Sequence, residues 1–423
     1  MNITILDGSP NKNALEPTLL ELIRKLENKH HTVTHLVLRD MHIALCRGCF
    51  GCWVKTPGRC ILKDDSDVLD RAIINSDFVL WASPLIMGFP STLFKTALDK
   101  HLPLIHPYME IDQGEIHHLK RYPKYPRIGM LLEKEAATDA KDLQIVTNVF
   151  ARTALNFKSR LEFVETLPSP VEELIDKIEQ PQAGKHLYQK QLKATSFEPI
   201  QTPARLTIFN GSPRGTSSSN TLLMLEEFRK GFAGPTEIHH LQQMKDTQKH
   251  VQAFSEAEWV WVGFPLYTDG MPGIVKHFFE ALQPMLERAE NPPIGFLVQS
   301  GFPEACHSRY IERYLEKLAA RLGSPYLGTI VKGGGEGIRS MPPEANRKLF
   351  ANLQALGASL AEQGCLDETL LKKMARFERF PRIALPILRV LFKSPVSGQY
   401  FSKQMKENGV FEQCYEQPFV LIP

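Results

Sequence analysis

The chain has 423 residues, with 50 basic against 47 acidic side chains and 14 histidines. That length allows two or three domains with proper cores, and the near-balanced charge gives no electrostatic case for nucleic acid or an anionic membrane. The N-terminus runs straight into an apolar strand pattern, and the late apolar run 383–392, broken by Pro386 and Arg389, is too short to span a bilayer. A soluble, cytoplasmic protein without membrane insertion is therefore expected, whose cysteines are thiols, metal ligands or redox groups rather than structural disulfides.

In chain order, strands are predicted at 3–7, 32–38, 78–82, 128–132 and 161–164, alternating with longer helical patterns. Residues 178–203 are polar, hold three prolines and a glycine, and read as a linker with a short helix around 186–192. Strands resume at 206–210, 237–241, 259–263, 294–299 and 327–331. Beyond 366 the pattern becomes amphipathic helix mixed with proline-broken apolar segments, which could cover either their own domain or a partner's site. The expected domains are 1–177, 204–366 and a C-terminal helical extension 367–423, joined by the linker 178–203.

The two strand series repeat one another. ITILDGSPN at 3–11 returns as LTIFNGSPR at 206–214, and SPLIMGFPSTLFK at 83–95 as FPLYTDGMPGIVK at 264–276. So long a period means two copies of one domain, not a solenoid. Five strands with intervening helices predict an α/β fold, two tandem flavodoxin-like doubly wound parallel sheets, with sites where the first and third strands diverge. Both repeated motifs fall there.

In the second copy, Gly211 to Thr221 follows a strand and opens a helix, and is rich in hydroxyl and amide side chains. Free N–H groups at a helix start make an anion site, and this loop suits the phosphate of a mononucleotide better than a mere helix cap. The first-copy loop, Gly8 to Thr18, keeps Ser9, Asn11 and Thr18. It places Leu15, Glu16 and Pro17 where the second has Ser218, Ser219 and Asn220, so it reads as degenerate or differently used.

These motifs resemble the flavodoxin-like NAD(P)H-dependent FMN reductases, including the quinone-reductase and iron–sulfur flavoprotein branches. The resemblance covers both copies, roughly 1–164 and 205–366. It implies FMN as cofactor and NAD(P)H as co-substrate, with Ser212, Arg214, Ser219, Asn220 and Thr221 at the phosphate. Pro265, Leu266, Tyr267 and Thr268 would flank the flavin ring, with a third loop from Ser300 and Gly301. Weaker counterparts in the first copy are Ser9, Asn11 and Thr18, then Pro84, Leu85 and Ile86, with Phe89 as a substitute aromatic face. Trp259 and Trp261 read as ordinary packing along a buried strand.

Between its two motifs the first copy carries 22 residues more than the second, and that stretch holds Cys46, Cys49, Cys52 and Cys60. Soft thiolates at this spacing suit a [4Fe–4S] cluster, as in iron–sulfur flavoproteins; zinc or thiol redox chemistry and a structural loop are the alternatives. Cys306, Cys365 and Cys414 are scattered and read as ordinary, as do the paired histidines. The expected function is an FMN-dependent NAD(P)H oxidoreductase passing electrons to a quinone, flavin or similar small-molecule acceptor. The rivals are an iron–sulfur flavoprotein acting in electron transfer and a flavin-free tandem scaffold. Because the flavin carries the chemistry, no catalytic side chain is required. The flavin is expected in the second copy, with the two copies forming an internal pseudo-dimer or assembling further as a homodimer.

Overall fold

A computed structural model describes residues 1–181, 199–286, 288, 290–394 and 397–420. The expected helix at 186–192 lies outside these residues. The chain divides into two compact units, Met1–Gln189 together with Pro381–Pro423, and Lys190–Phe380.

The first unit contains strands β1 (Asn2–Asp7), β2 (Thr32–Val37), β3 (Phe78–Ile86), β4 (Phe89–Pro90), β5 (Ile105–Asp112), β6 (Glu115–Lys120), β7 (Arg127–Glu133) and β8 (Leu161–Thr166). Five form a parallel sheet in the order β2-β1-β3-β7-β8, and β4 folds back antiparallel on the end of β3. β3 reads FVLWASPLI and is buried along nearly its whole length, as a central strand covered on both faces must be. Helix Leu15–Asn28 lays Leu15, Leu19, Leu22 and Leu26 against Ile3, Ile5, Phe78 and Leu80.

The second unit repeats the scheme with β9 (Leu206–Asn210), β10 (Thr236–His240), β11 (Trp259–Pro265), β12 (Ile294–Gln299) and β13 (Tyr326–Lys332), ordered β10-β9-β11-β12-β13. Trp261 is fully buried and stacks on Phe228 with ring centroids 4.6 Å apart, so the tryptophans of β11 are core residues. All ten expected strands are present, in the 2-1-3-4-5 order of the flavodoxin-like fold, once per unit.

Two features go beyond the sequence reading, a hairpin it did not include and the placement of the C-terminal segment, which it left open. β5 and β6 form a separate antiparallel hairpin, turned by Gln113 and Gly114, both with positive φ. The segment from Pro381 onward belongs to the first unit rather than to the copy that precedes it. Its Phe401, Met405, Val410, Phe411 and Cys414 pack with Phe50, Cys52, Trp53 and Val54. Cys414, scattered in sequence, therefore shares an apolar cluster with Cys52.

Candidate functional site

In both copies the first loop leaves the sheet through the same backbone device. The Gly8 N–H donates to the Ala82 carbonyl at 2.8 Å, and the Gly211 N–H to the Gly263 carbonyl at 2.7 Å. A Cβ on Gly8 would lie 2.6 Å from the Phe94 Cβ, and one on Gly211 2.3 Å from a Val275 methyl, so only glycine fits. The next turn is also shared: the Ser9 N–H donates to Asp7 Oδ1 at 2.9 Å, and the Ser212 N–H to Asn210 Oδ1 at 3.2 Å.

Beyond that point the loops diverge. In the second copy Ser219 is the N-cap of helix Asn220–Phe232, its hydroxyl accepting the Leu222 N–H. Arg214 Nη1 donates to Glu336 Oε1 at 2.7 Å, and the Asn220 amide donates to the Glu336 carbonyl at 2.9 Å. Thr221 Oγ1 accepts from Gln299 Nε2 at 3.5 Å. Glu336 comes from the glycine run after β13, which is tied down as Gly335 N–H donates to the Ser300 carbonyl and Gly334 N–H to that of Phe302. Ser212 and Ser300 are buried, and Gly301 is exposed. Of the expected phosphate ligands, the donors on Arg214 and Asn220 already face Glu336. What Asn220 leaves over is a buried carbonyl oxygen, which repels an anion.

The first-copy loop has the opposite balance. Helix Leu15–Asn28 has no side-chain bond from its N-cap Ala14, although Asn13 Oδ1 just before it accepts the Leu15 N–H at 3.1 Å. The Ser9 hydroxyl is fully buried beside the Asp7 carboxylate and makes no well-aligned hydrogen bond, so a phosphate oxygen would be an acceptor for it. Glu16 is not a bare repulsive charge, since Arg39 Nη2 lies 3.4 Å from its carboxylate. Arg39 also lies 3.6 Å from the buried Asp7. Burial alone would raise the Asp7 carboxyl, but His35 and Ser9 outweigh it and hold it below the ordinary range. Asn11 is exposed, and Thr18 turns its hydroxyl to the Ala14 carbonyl. Pro17 falls in the first helical turn, where a missing N–H breaks no helical bond.

The second motif closes over the first loop in this copy: the Ser91 hydroxyl donates to the Gly8 carbonyl while accepting the Phe94 N–H as N-cap. Pro84 and Leu85 are buried, Ile86 is half-buried, and the Met87 and Gly88 N–H groups donate to the Glu135 carboxylate at 2.7 and 2.8 Å. Phe89 packs on Phe150 in the core, so it is not an exposed aromatic face. In the second copy Pro265 is buried, while Leu266, Tyr267 and Thr268 are half-buried at a tight turn closed between Tyr267 and Gly270. The repeated lysine is buried in both copies and salt-bridged one helical turn on, Lys95 with Asp99 and Lys276 with Glu280.

The cysteine loop is anchored by Trp53, whose indole N–H donates to the carbonyls of Ile105 (3.0 Å) and Leu102 (3.2 Å). Trp53 stacks on Phe50, and Phe401 meets both rings edge-on. Cys49 is exposed; Cys46, Cys52 and Cys60 are half-buried. Burial pushes the Cys46 thiol up to about 12, and burial first, then Cys46, Cys60 and Cys49, push Cys52 well above its ordinary value. The other three thiols thus add to the cost of ionising Cys52, a cost that bound metal cations would remove. Among the described residues, no three of them lie within 4.8 Å of one another. A single tetrahedral zinc, with Zn–S of about 2.3 Å, would need spacings near 4 Å. A cluster takes one thiolate at each iron corner and accepts a wider set. Lys100, which the sequence reading did not single out, donates to Cys60 Sγ at 3.0 Å and to Asp64 at 2.8 Å while itself buried. Its position one residue past a helix, between Asp99 and His101, gave no sign of this role.

Alongside the hairpin and the C-terminal segment runs a groove of about 1160 Å³, with Tyr108, Phe392, Phe411 and Tyr415 among its walls. Phe411 belongs both to this wall and to the apolar cluster around Cys52.

Residues 1–110 match the family model described as NADPH-dependent FMN reductase. Over 100 residues the chain is 34% identical to an iron-sulfur flavoprotein of Archaeoglobus fulgidus, a stretch covering 23% of this chain and 44% of that relative. The chain thus spans less than half the length of the curated relative it matches. Similar solved structures include an FMN-dependent NADH-azoreductase of Bacillus anthracis in complex with FMN (12% identity, 38% of this chain, 100% of that one, TM-score 0.31). Another is an NAD(P)H:quinone oxidoreductase of Methanothermobacter marburgensis (15% identity, 37% and 98%, TM-score 0.29). Among the described residues no helix is long and apolar enough to cross a membrane.

Proposed function

We propose that the chain is an FMN-dependent NAD(P)H oxidoreductase passing electrons to a quinone, flavin or similar small-molecule acceptor, with its flavin in the first copy. The observation that carries this reading is the buried Ser9 hydroxyl, which lacks a well-aligned acceptor, within the stretch that matches the FMN reductase model. Bound there, FMN would supply hydride acceptance and electron release. The protein would orient it: Ser9 and the positive end of helix Leu15–Asn28 would hold the phosphate, and Leu85 and Ile86 would line the ring. Glu135 fixes the turn that follows them.

Cys46, Cys49, Cys52 and Cys60 would hold a [4Fe–4S] cluster in this reading, with Lys100 offsetting negative charge at Cys60. Trp53 and the C-terminal segment limit water on one side. The aromatic groove sharing Phe411 with that cluster is the proposed place for an acceptor. In this reading the second copy is flavin-free, its loop arginine Arg214 being paired with its own acid, Glu336.

Anaerobic purification followed by flavin, iron and sulfide counts tests the reading. It expects one FMN and close to four irons per chain, with the flavin colour bleaching on NADH or NADPH and returning with a quinone. A colourless chain that takes up no FMN would leave the tandem scaffold instead.

A further inference from the structure

The stretch Pro381–Ser394 (PRIALPILRVLFKS) carries Arg382, Arg389 and Lys393 and no acidic residue. It forms a one-turn 3-10 segment, Arg382–Ala384, running into helix Leu385–Lys393, none of whose residues is buried. The helix lies against β5, with Leu385 beside the hairpin turn at Gly114. Leu385, Leu388 and Phe392, at i, i+3 and i+7, are its half-buried face. The other face is more apolar than a surface helix needs: Ile383 is 85% exposed, Ile387 71%, Val390 72% and Leu391 45%. Arg389 and Lys393 fall on one flank between the two faces.

We infer that this helix is an interfacial anchor that lays Ile383, Ile387, Val390 and Leu391 into the surface of a membrane containing anionic lipid. The chemistry matches that of monotopic helices, which combine an apolar face with a cationic border and lie in the headgroup plane without spanning. Charge complementarity selects the occupant. A second copy of this chain would set three cations against the same three cations, whereas anionic headgroups attract each of them. Nine residues are too few to cross a bilayer and enough to lie on one. Overall charge near balance does not oppose this, because attraction acts within about one Debye length of the helix, roughly 8–10 Å.

The test is co-sedimentation of the full-length protein with vesicles of phosphatidylcholine alone and of phosphatidylcholine with phosphatidylglycerol. The wild type is expected to pellet with the anionic vesicles and to be released by added salt. Val390→Asp and Ile387→Asp should each lower the partition roughly tenfold through lost apolar insertion. Arg389→Gln and Lys393→Gln should each lower it by about fivefold on anionic vesicles and change nothing on neutral ones. All four side chains face solvent, so circular dichroism should match the wild type in each variant. Failure of the wild type to pellet with anionic vesicles, or equal pelleting of the four variants, would overturn the inference. A dimer in vesicle-free solution that Val390→Asp converts to monomer would overturn it too, assigning the face to a second copy.

Discussion

Glu336 Oε1 lies 2.7 Å from Arg214 Nη1, so a carboxylate of the second unit occupies the cation of its own phosphate-type loop. In sequence, the second loop is the better match to a phosphate cradle; in space, its arginine and asparagine are already answered. Replacing Glu336 by Gln keeps the hydrogen bonds and removes the charge. Because the pair is partly exposed, the second unit should lose only about 1 kcal/mol in urea unfolding. Flavin content should stay unchanged, and a fall in retained FMN on Glu336→Gln would place the cofactor in the second copy.

Docking of the C-terminal segment on the cysteine loop depends on Gly58. Its φ is +83°, and an added Cβ would lie 2.8 Å from Pro418 Cδ. Gly58→Ala should cost roughly 1–3 kcal/mol of local stability. Limited proteolysis should then cut within 399–420 faster than in the wild type, with cleavage elsewhere unchanged. An unaltered digestion pattern would show that the contact contributes little.

The first unit should be acid-sensitive well above the carboxylate range. Burial foremost, then Arg121 and His118, lowers His106 to about 3, and burial with His117 lowers His118 to about 3. Unfolded, both rings take a proton near 6.5, so between about pH 6.5 and 3 the unfolded chain binds more protons than the folded one. Stability is fully present above that window and falls with pH inside it, by up to about 1.4 kcal/mol per pH unit for each ring. Denaturation midpoints from pH 7.5 to 4 measure this. His106→Phe should flatten the slope, and a slope unchanged in that variant would remove His106 as its source.

Cys49 is the exposed member of the four-cysteine loop. Cys49→Ser should remove the broad cluster absorption and most of the iron while leaving flavin bound, since the loop is an insertion beside the shared scaffold. Inductively coupled plasma iron analysis alongside the visible spectrum reads both. Joint loss of flavin and iron would mean that the loop supports the flavin site itself.

The central sheet strands were legible as short apolar runs buried on both faces, such as FVLWA in β3 or WVWVG in β11, and the half-exposed edge strands β2 and β10 by their place between helical patterns. The hairpin at 105–120 was not, since its turn is Gln113-Gly114 rather than an asparagine or aspartate pair, and its strands mix histidine and glutamate with apolar residues. The cysteines were found by spacing, but Lys100 acts through a fold contact with Cys60 that no local pattern announces. The role of the C-terminal segment depended on long-range packing of Phe401 and Phe411 around Trp53. Net charge hid the cationic stretch at 382–393, because the sum over 423 residues averages it away.

FMN retention in two matched variants tests the central claim most directly. Ser9→Asp puts a carboxylate at the buried hydroxyl of the first loop, and Asn220→Asp puts one at the start of the second-unit helix. Equilibrium dialysis against FMN should show wild-type binding for Asn220→Asp and at least about a hundredfold weaker binding for Ser9→Asp, from repulsion of the phosphate and the lost donor. Full binding by Ser9→Asp together with loss of FMN from Asn220→Asp would contradict the account and return the flavin to the second copy.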